Sequence, residues 1–542
     1  MQKYNSNYNK YSQTLRNYIS AFYKEHRFTA LFGLIYGIIL YSLMMTQQLT
    51  NTFDGLWQQN YHYAGAGELS SGRWLLEFVD KFVKGTHADP LTSVAALTLF
   101  VVGFLFVLDL FKVKNKLTAC LCLTIFISST LISNTLSYRF TSLGYGLAYF
   151  LAVLSIYVLI KARNNGIAVC VAGILLGLSM SCYQAYVTMF SIVAVFYAIF
   201  QCKDTELFTA GNALKSIAHY LLRIVCSLAM GALFYIASLF LRLKWCGVTL
   251  SNYNGIGQIS GASLITDLPQ NILKAYQYFY AYFFMDKLKI NCLQSYGIFY
   301  VLMALLIGMI AYIAIKTWKT DKNRIVLLVL AVAVIPVASN AYMLIAGDKL
   351  ELQMTAGLAM FAPLTMIVSF SCLKKRIPQT ICAILCAALL YGNSMQVWMD
   401  QEAMYEGQNA CDTMMTQVIS DLRNENLLSS DYEYFFIGVP EENPLFSVSD
   451  TYYRANAYAQ MGRFWVSGNC CQASYKGLID RRLGLNLPIS YLLYENVADK
   501  LDVFAMPEFP CDGYIVLLDE NTVVVKINEY KEYTGSSKYV ID

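Results

Sequence analysis

LTSVAALTLFVVGFLFVLDLFKVKNK, residues 91–116, joins about twenty mostly apolar residues to a turn carrying Lys112, Lys114 and Lys116. A run of that length crosses the roughly 30 Å hydrocarbon core of a bilayer as a helix. Lysines placed just beyond it mark the cytosolic side. The same alternation of apolar run and short polar turn recurs along the 542 residues, of which 57% are hydrophobic and 14% charged. A soluble domain carries roughly 25% charged residues. Spans are expected near 29–48, 91–111, 117–135, 144–160, 166–181, 184–201, 224–241, 295–316, 325–346, 355–373 and 379–397, eleven in all.

The basic residues set an orientation. Lys3, Lys10, Arg16, Lys24 and Arg27 precede the first span, and no small-residue cleavage pattern follows it, so that span is expected to stay attached. With this tail in the cytosol, Lys161, Arg163, Lys203, Lys215, Arg223, KTWKTDKNR and Lys374–Arg376 all fall on the same side. An odd number of spans puts the carboxy-terminal segment outside. The parity rests on reading 166–201 as two helices joined at SCYQAYV; a single bent span there would strand the later basic clusters outside.

The expected fold is therefore a polytopic α-helical membrane protein of about eleven transmembrane helices with a small extracytoplasmic α+β carboxy-terminal domain. Its parts are a cytosolic tail at 1–28, a transmembrane domain at 29–398 and a soluble domain at 399–542. Two further extracytoplasmic loops, 49–90 and 242–294, are too long to be connectors. The first holds GRWLLEFVDKFV, amphipathic at helical spacing, and the second LPQNILKAYQYFYAYFF, an aromatic-rich interfacial helix. In the tail, YEYFFIGV reads as a strand, GYIVLLDENTVVVKI as strands around a DEN turn, and DTMMTQVISDLRNEN as a helix. Cys411, Cys470, Cys471 and Cys511 make an even count that disulfides could use, in no deducible pairing.

Charges beside the outer ends of spans are the candidates for chemistry, because a charge near hydrocarbon is costly. Asp54, in NTFDGLW, has an aromatic setting that would partly desolvate its carboxylate and raise its basicity; a cap or a solvated loop residue is the equal alternative. The same loop holds Glu68 and SSGRWLLEF, where Ser71, Arg73 and Trp74 precede a helix. Ser-Ser-Gly with an Arg can hold an anion through backbone N–H groups and a guanidinium fork, or Ser71 can simply cap the helix while Arg73 reaches the headgroups. Tyr138 and Arg139 in SNTLSYRFTS, Tyr183 and Gln184 in SCYQAY, and Asp348, Lys349 and Glu351 in GDKLELQ lie on the same side. No nucleotide-binding P-loop is present, the four histidines show no ligand spacing, and nothing points to nucleic acid.

Taken in order, the first-loop Asp, SSGRWLLEF, NTLSYRFTS and SCYQAYVTMF resemble landmarks of the bacterial O-antigen-type membrane glucosyltransferases, the Gtr type II group. That resemblance implies a GT-C-like fold and an inverting hexosyltransferase of the plasma membrane. Its donor would be a polyprenyl-phosphate-linked sugar, typically glucose in that group, and its acceptor a cell-surface polysaccharide. A donor-lipid synthase and a flippase would be its upstream partners. Carried onto this chain, Asp54 becomes the general base, while Arg73 and Arg139 steady the departing phosphate. Either one carboxylate suffices or Glu68 supplies the second, and dependence on a divalent metal stays open. A transporter or flippase, and a surface-glycan polymerase or ligase, are the competing classes. Transporters usually carry their charges near the midplane in two related halves, a pattern this sequence lacks.

Overall fold

The computed structural model describes residues 2–51, 53–57, 62–162, 164–203, 213–251, 266–284, 296–319, 322–344, 351–464, 468–492 and 494–531. The helices are α1 (Gln2–Leu40), α2 (Ser42–Thr46), α3 (Phe53–Trp57), α4 (Ala66–Ser70), α5 (Leu76–Phe82), α6 (Leu91–Leu110), α7 (Lys116–Ile127), α8 (Thr130–Ser137), α9 (Arg139–Lys161), α10 (Asn165–Cys182), α11 (Val187–Lys203) and α12 (Ala213–Cys246). They continue as α13 (Leu268–Phe284), α14 (Tyr296–Trp318), α15 (Asn323–Ser339), α16 (Ala356–Cys372), α17 (Arg376–Asn424), α18 (Asp450–Arg454) and α19 (Gly468–Leu478).

Among the described residues seven helices are long and apolar enough to cross a membrane, or up to eight if the bent pair α7 and α8 is one span. The expected count of about eleven is thus too high. The apolar part of α1 stops at Leu40, where the helix breaks at Tyr41. Helices α15 and α16 have 17 residues each, at the lower limit for crossing, and nearly all of α16 is buried inside the protein. An apolar run records burial without saying whether lipid or protein does the burying, and that is why the hydropathy reading overcounts. The parity argument for orientation falls with the count. The expected pair at 166–201 does lie as two helices, α10 and α11, which separate at Tyr183 in extended backbone.

Local chemistry sets the helix starts. Asn115 accepts from Thr118 N–H at the start of α7, and Asn164 accepts from Ile167 N–H at the start of α10. Helix α9 packs between α6 and α10, α10 against α12, and α11 against α15 and α16. The two ends of the bundle can be told apart by contacts. At one end Arg139, opening α9, reaches Asp89 just before α6. At the other, Lys161, closing α9, pairs with Asp109 near the close of α6 at 2.8 Å. Lys203 donates to Ser371 O at that second end, which also holds Lys112, Lys114 and Arg376.

Helix α17 is unbroken over 49 residues, merging the expected last span with the expected tail helix. It leads into an α+β unit built on a three-stranded sheet of β1 (Glu433–Ile437), β2 (Ile515–Leu517) and β3 (Thr522–Lys526), ordered β1-β3-β2. β1 runs parallel to β3, and β2 pairs antiparallel with it, Ile515 opposite Val525, as the DEN turn predicts. Cys411, Cys470, Cys471 and Cys511 are all unbridged thiols.

Candidate active site

Two stretches far apart in sequence meet at the Asp89–Arg139 end. The turn Ser71–Leu75 lies against the break between α10 and α11: Leu75 N–H donates to Ser181 O at 3.0 Å, and Gln184 Nε2 donates to Ser71 O at 2.8 Å. Gln184 also bonds Tyr235 Oη at 2.8 Å, and that hydroxyl donates to Gly72 O at 3.2 Å. Gly72 has φ +83°, and a Cβ there would meet Tyr235 Oη at 2.3 Å and Gln184 Nε2 at 2.5 Å. Only glycine satisfies both the left-handed backbone and the close approach. The turn so held lays the Arg73 guanidinium 4.7 Å above the Tyr183 ring, with Nη1 3.4 Å from Tyr145 Oη. Tyr145 stacks on Tyr183 at 4.5 Å, so the cation rests on an aromatic platform.

Asp54 lies in the five-residue α3, partly open to solvent but closely ringed by protein. Burial pushes its carboxyl up to about 7; the Arg73 charge pulls it down and the Glu351 charge pushes it up. Arg73 and Glu351 therefore both act on Asp54 electrostatically. Glu351 is buried and accepts from Tyr458 Oη, whose ring lies 6.0 Å from that of Tyr138. The α+β unit seats α3 from the other side. A Cβ on Gly477 would meet Leu56 O at 1.8 Å, so α19 and α3 are in backbone contact. Arg481 Nη1 donates to Gly55 O at 2.5 Å.

Other expected site residues have different surroundings. Glu68 accepts from Gly65 N–H at 2.8 Å, closing a capping box on α4, and lies 3.1 Å from His62 Nε2. Burial would raise its carboxyl, but the His62 and Gly65 bonds outweigh burial and hold it at about 2. The charges that bear on Asp54 are Arg73 and Glu351, which makes Glu351 its acidic neighbour. Ser71 ends α4, and the N–H groups of residues 71–73 are spent on Gly67, Leu69 and Glu68 carbonyls, while α5 starts only at Leu76. Those N–H groups are not presented as an anion cradle. Trp74 packs edge-on against Phe78, and its Nε1 has no partner among the described residues. Arg139 donates to Gln48 O at 3.0 Å and His87 O at 3.1 Å and pairs with Asp89 at 3.2 Å. Lys349 and Asp348 lie outside the described residues.

Sequence reading placed Glu351 among the outer-face charges without tying it to Asp54, and it did not single out Tyr458, Gly477 or Arg481. Glu351 alone carried a signal, as an acid just ahead of the apolar α16. Among the described residues the one cluster with metal-ligand donors is Glu25, His26 and Asp109, at the opposite end, where Asp109 already holds Lys161.

The family model described as glucosyl transferase GtrII matches residues 49–373, and the chain belongs to that family. The match contains Asp54, the Ser71–Leu75 turn, Arg139, the α10–α11 break and Glu351. The chain is accordingly a multi-pass membrane glycosyltransferase of the GT-C type. No curated protein and no solved structure matches it.

Proposed function

From that membership as premise, we propose that the enzyme transfers a hexose, glucose in the first instance, from a polyprenyl-phosphate carrier to a surface polysaccharide with inversion at the anomeric carbon. The observation that carries this reading is a carboxylate tuned to about 7 opposite a cation laid on aromatic rings. A general base works best when its proton affinity lies near the ambient pH. Asp54 takes the proton of the acceptor hydroxyl as that oxygen attacks C1. The bond from C1 to the phosphate oxygen breaks with its electron pair, and the polyprenyl phosphate departs. Arg73 balances the charge growing on that phosphate, in a partly dry setting where a fixed cation counts for more than in water. Glu351 keeps Asp54 basic, and Tyr458 holds Glu351 in place.

The reaction belongs on the extracytoplasmic face of the plasma membrane. What supports this is the collection of Lys112, Lys114, Lys161, Lys203 and Arg376 at the end opposite Asp54. The parts we propose are a cytosolic tail, a transmembrane domain and, from about residue 399, an extracytoplasmic domain that seats the Asp54 helix. In membranes holding the Asp54→Asn variant, transfer of labelled sugar from its polyprenyl phosphate to the polysaccharide should fall at least about 100-fold, with protein level unchanged. Transfer at the unsubstituted rate would overturn the reading.

A further inference from the structure

A cavity of about 140 Å³ opens in the α+β unit, between the end of β1 and the first turns of α19. Phe435, Phe436 and Cys471 are its buried lining, while Gly468 and Glu495 are exposed at its rim. Gln472 braces the wall: its Oε1 accepts from Phe436 N–H at 3.0 Å, and its Nε2 donates to Phe436 O at 2.7 Å. Two tyrosines complete the lining. Tyr494 and Tyr530 are stacked in parallel, with centroids 3.5 Å apart and planes inclined by 3°. Such a pair keeps flat apolar outer faces. The Tyr494 hydroxyl is buried and has no partner among the described residues, an arrangement that native proteins seldom leave unused.

Among the described lining residues Glu495 is the one charged group, and no Lys or Arg is present. A phosphate calls for cations, so the head of a lipid-linked donor does not suit this wall. A sugar ring does suit it, because its C–H faces lie on aromatic rings and its hydroxyls donate to a carboxylate. The volume is below the roughly 300–1,000 Å³ of drug-sized sites, which fits a single ring. The place fits as well. Cys471 lines the cavity, and the thiol of its neighbour Cys470 is pushed up by burial and then by the Asp54 charge. The first turn of α19 thus lies within electrostatic reach of Asp54 while it lines the cavity. We propose that this cavity is a subsite for one sugar ring of the acceptor polysaccharide, packed on the Tyr494–Tyr530 pair with a hydroxyl donating to Glu495. The inference rests on the reading of the acceptor as a polysaccharide. Every lining residue falls outside the 49–373 stretch shared with the family, so the subsite belongs to the carboxy-terminal unit of this chain.

The test uses the full chain in neutral detergent, carrying Asp54→Asn so that binding is measured without turnover. It is titrated with surface polysaccharide purified from the cells that make the protein, and with polyethylene glycol as a polymer lacking sugar rings. The polysaccharide should bind in preference, and adding Tyr494→Ala should weaken it about tenfold or more. Glu495→Gln, at an exposed position that folding does not depend on, should weaken it about threefold. With Asp54 restored, the same two substitutions should raise the KM for polysaccharide by similar factors and leave kcat and the KM for the donor unchanged. Equal affinity with and without the two substitutions, equal binding of polyethylene glycol, or a rise confined to the donor KM would each overturn the proposal. Transfer at the parent rate by Asp54→Asn is a separate readout and strikes the general-base reading instead.

Discussion

Arg73 and Arg139 occupy the same end of the bundle, each at a turn beside a short helix, yet their surroundings differ in kind. Arg139 is joined to protein by an ion pair with Asp89 and by two backbone carbonyls, which tie the end of α2 to the start of α6. Arg73 rests on the face of Tyr183 and a tyrosine hydroxyl, and the carboxylate that feels its charge is Asp54. A guanidinium spent on carbonyls and a buried carboxylate holds the fold together. One laid over rings beside a basic Asp lends its charge to that carboxylate. The two arginines share a side and a motif style in sequence, and only their partners distinguish them.

The largest effect that would sharpen this contrast is on stability. Arg139→Gln leaves Asp89 buried without its cation and should cost about 3–5 kcal/mol of unfolding free energy. Thermal or denaturant unfolding in detergent measures it; a loss below about 1 kcal/mol would erase the distinction. Arg73→Gln should leave the unfolding midpoint nearly intact while lowering turnover about 100-fold, equivalent to about 2.7 kcal/mol of transition-state stabilisation. The acidic limb of the pH–rate profile gives a finer test. Activity needs Asp54 deprotonated, so the rate should fall as pH drops through about 7. Arg73→Gln removes the charge that lowers Asp54 and should move the limb to higher pH. Glu351→Gln removes the charge that raises it and should move the limb to lower pH. Shifts of the same sign in both variants would break the assignment.

The smallest effect concerns Glu68. Its carboxyl is held at about 2, below its unfolded value, so its contribution to stability is present above roughly pH 4.3 and is lost as pH falls toward 2. Glu68→Gln should cost about 1 kcal/mol near neutrality, converge with the parent protein in acid, and leave turnover unchanged. A large loss of turnover would restore Glu68 as a second catalytic acid.

Much of this arrangement can be read from the chain. The aromatic helix α13, the break at Tyr183 and the β2–β3 hairpin follow from patterns that are local, and local patterns leave local signatures. The Ser71–Leu75 turn and SCYQAY are each visible, but their meeting is not, because Gln184 to Ser71 O is a long-range bond. Asp89 looks like an ordinary loop acid until Arg139 is seen beside it. Gly477 and Arg481 carry no motif; they matter because α19 packs on α3, a contact between opposite ends of the chain. The excess of spans has the same origin, since residues of α16 that face only protein are as apolar as those of a helix in lipid.

Helix α17 has a mechanical consequence. Its 49 residues give a continuous rod of roughly 74 Å, rooted at the end of the bundle that holds Lys112 and Lys114 and carrying the α+β unit at its far end. A soluble module on a flexible leash can swing aside to admit a bulky polymer. One mounted on a mast cannot do so without dragging its root, so room for a growing glycan has to come from the short segments around the mast, such as the turns that carry Asp54 and Arg73.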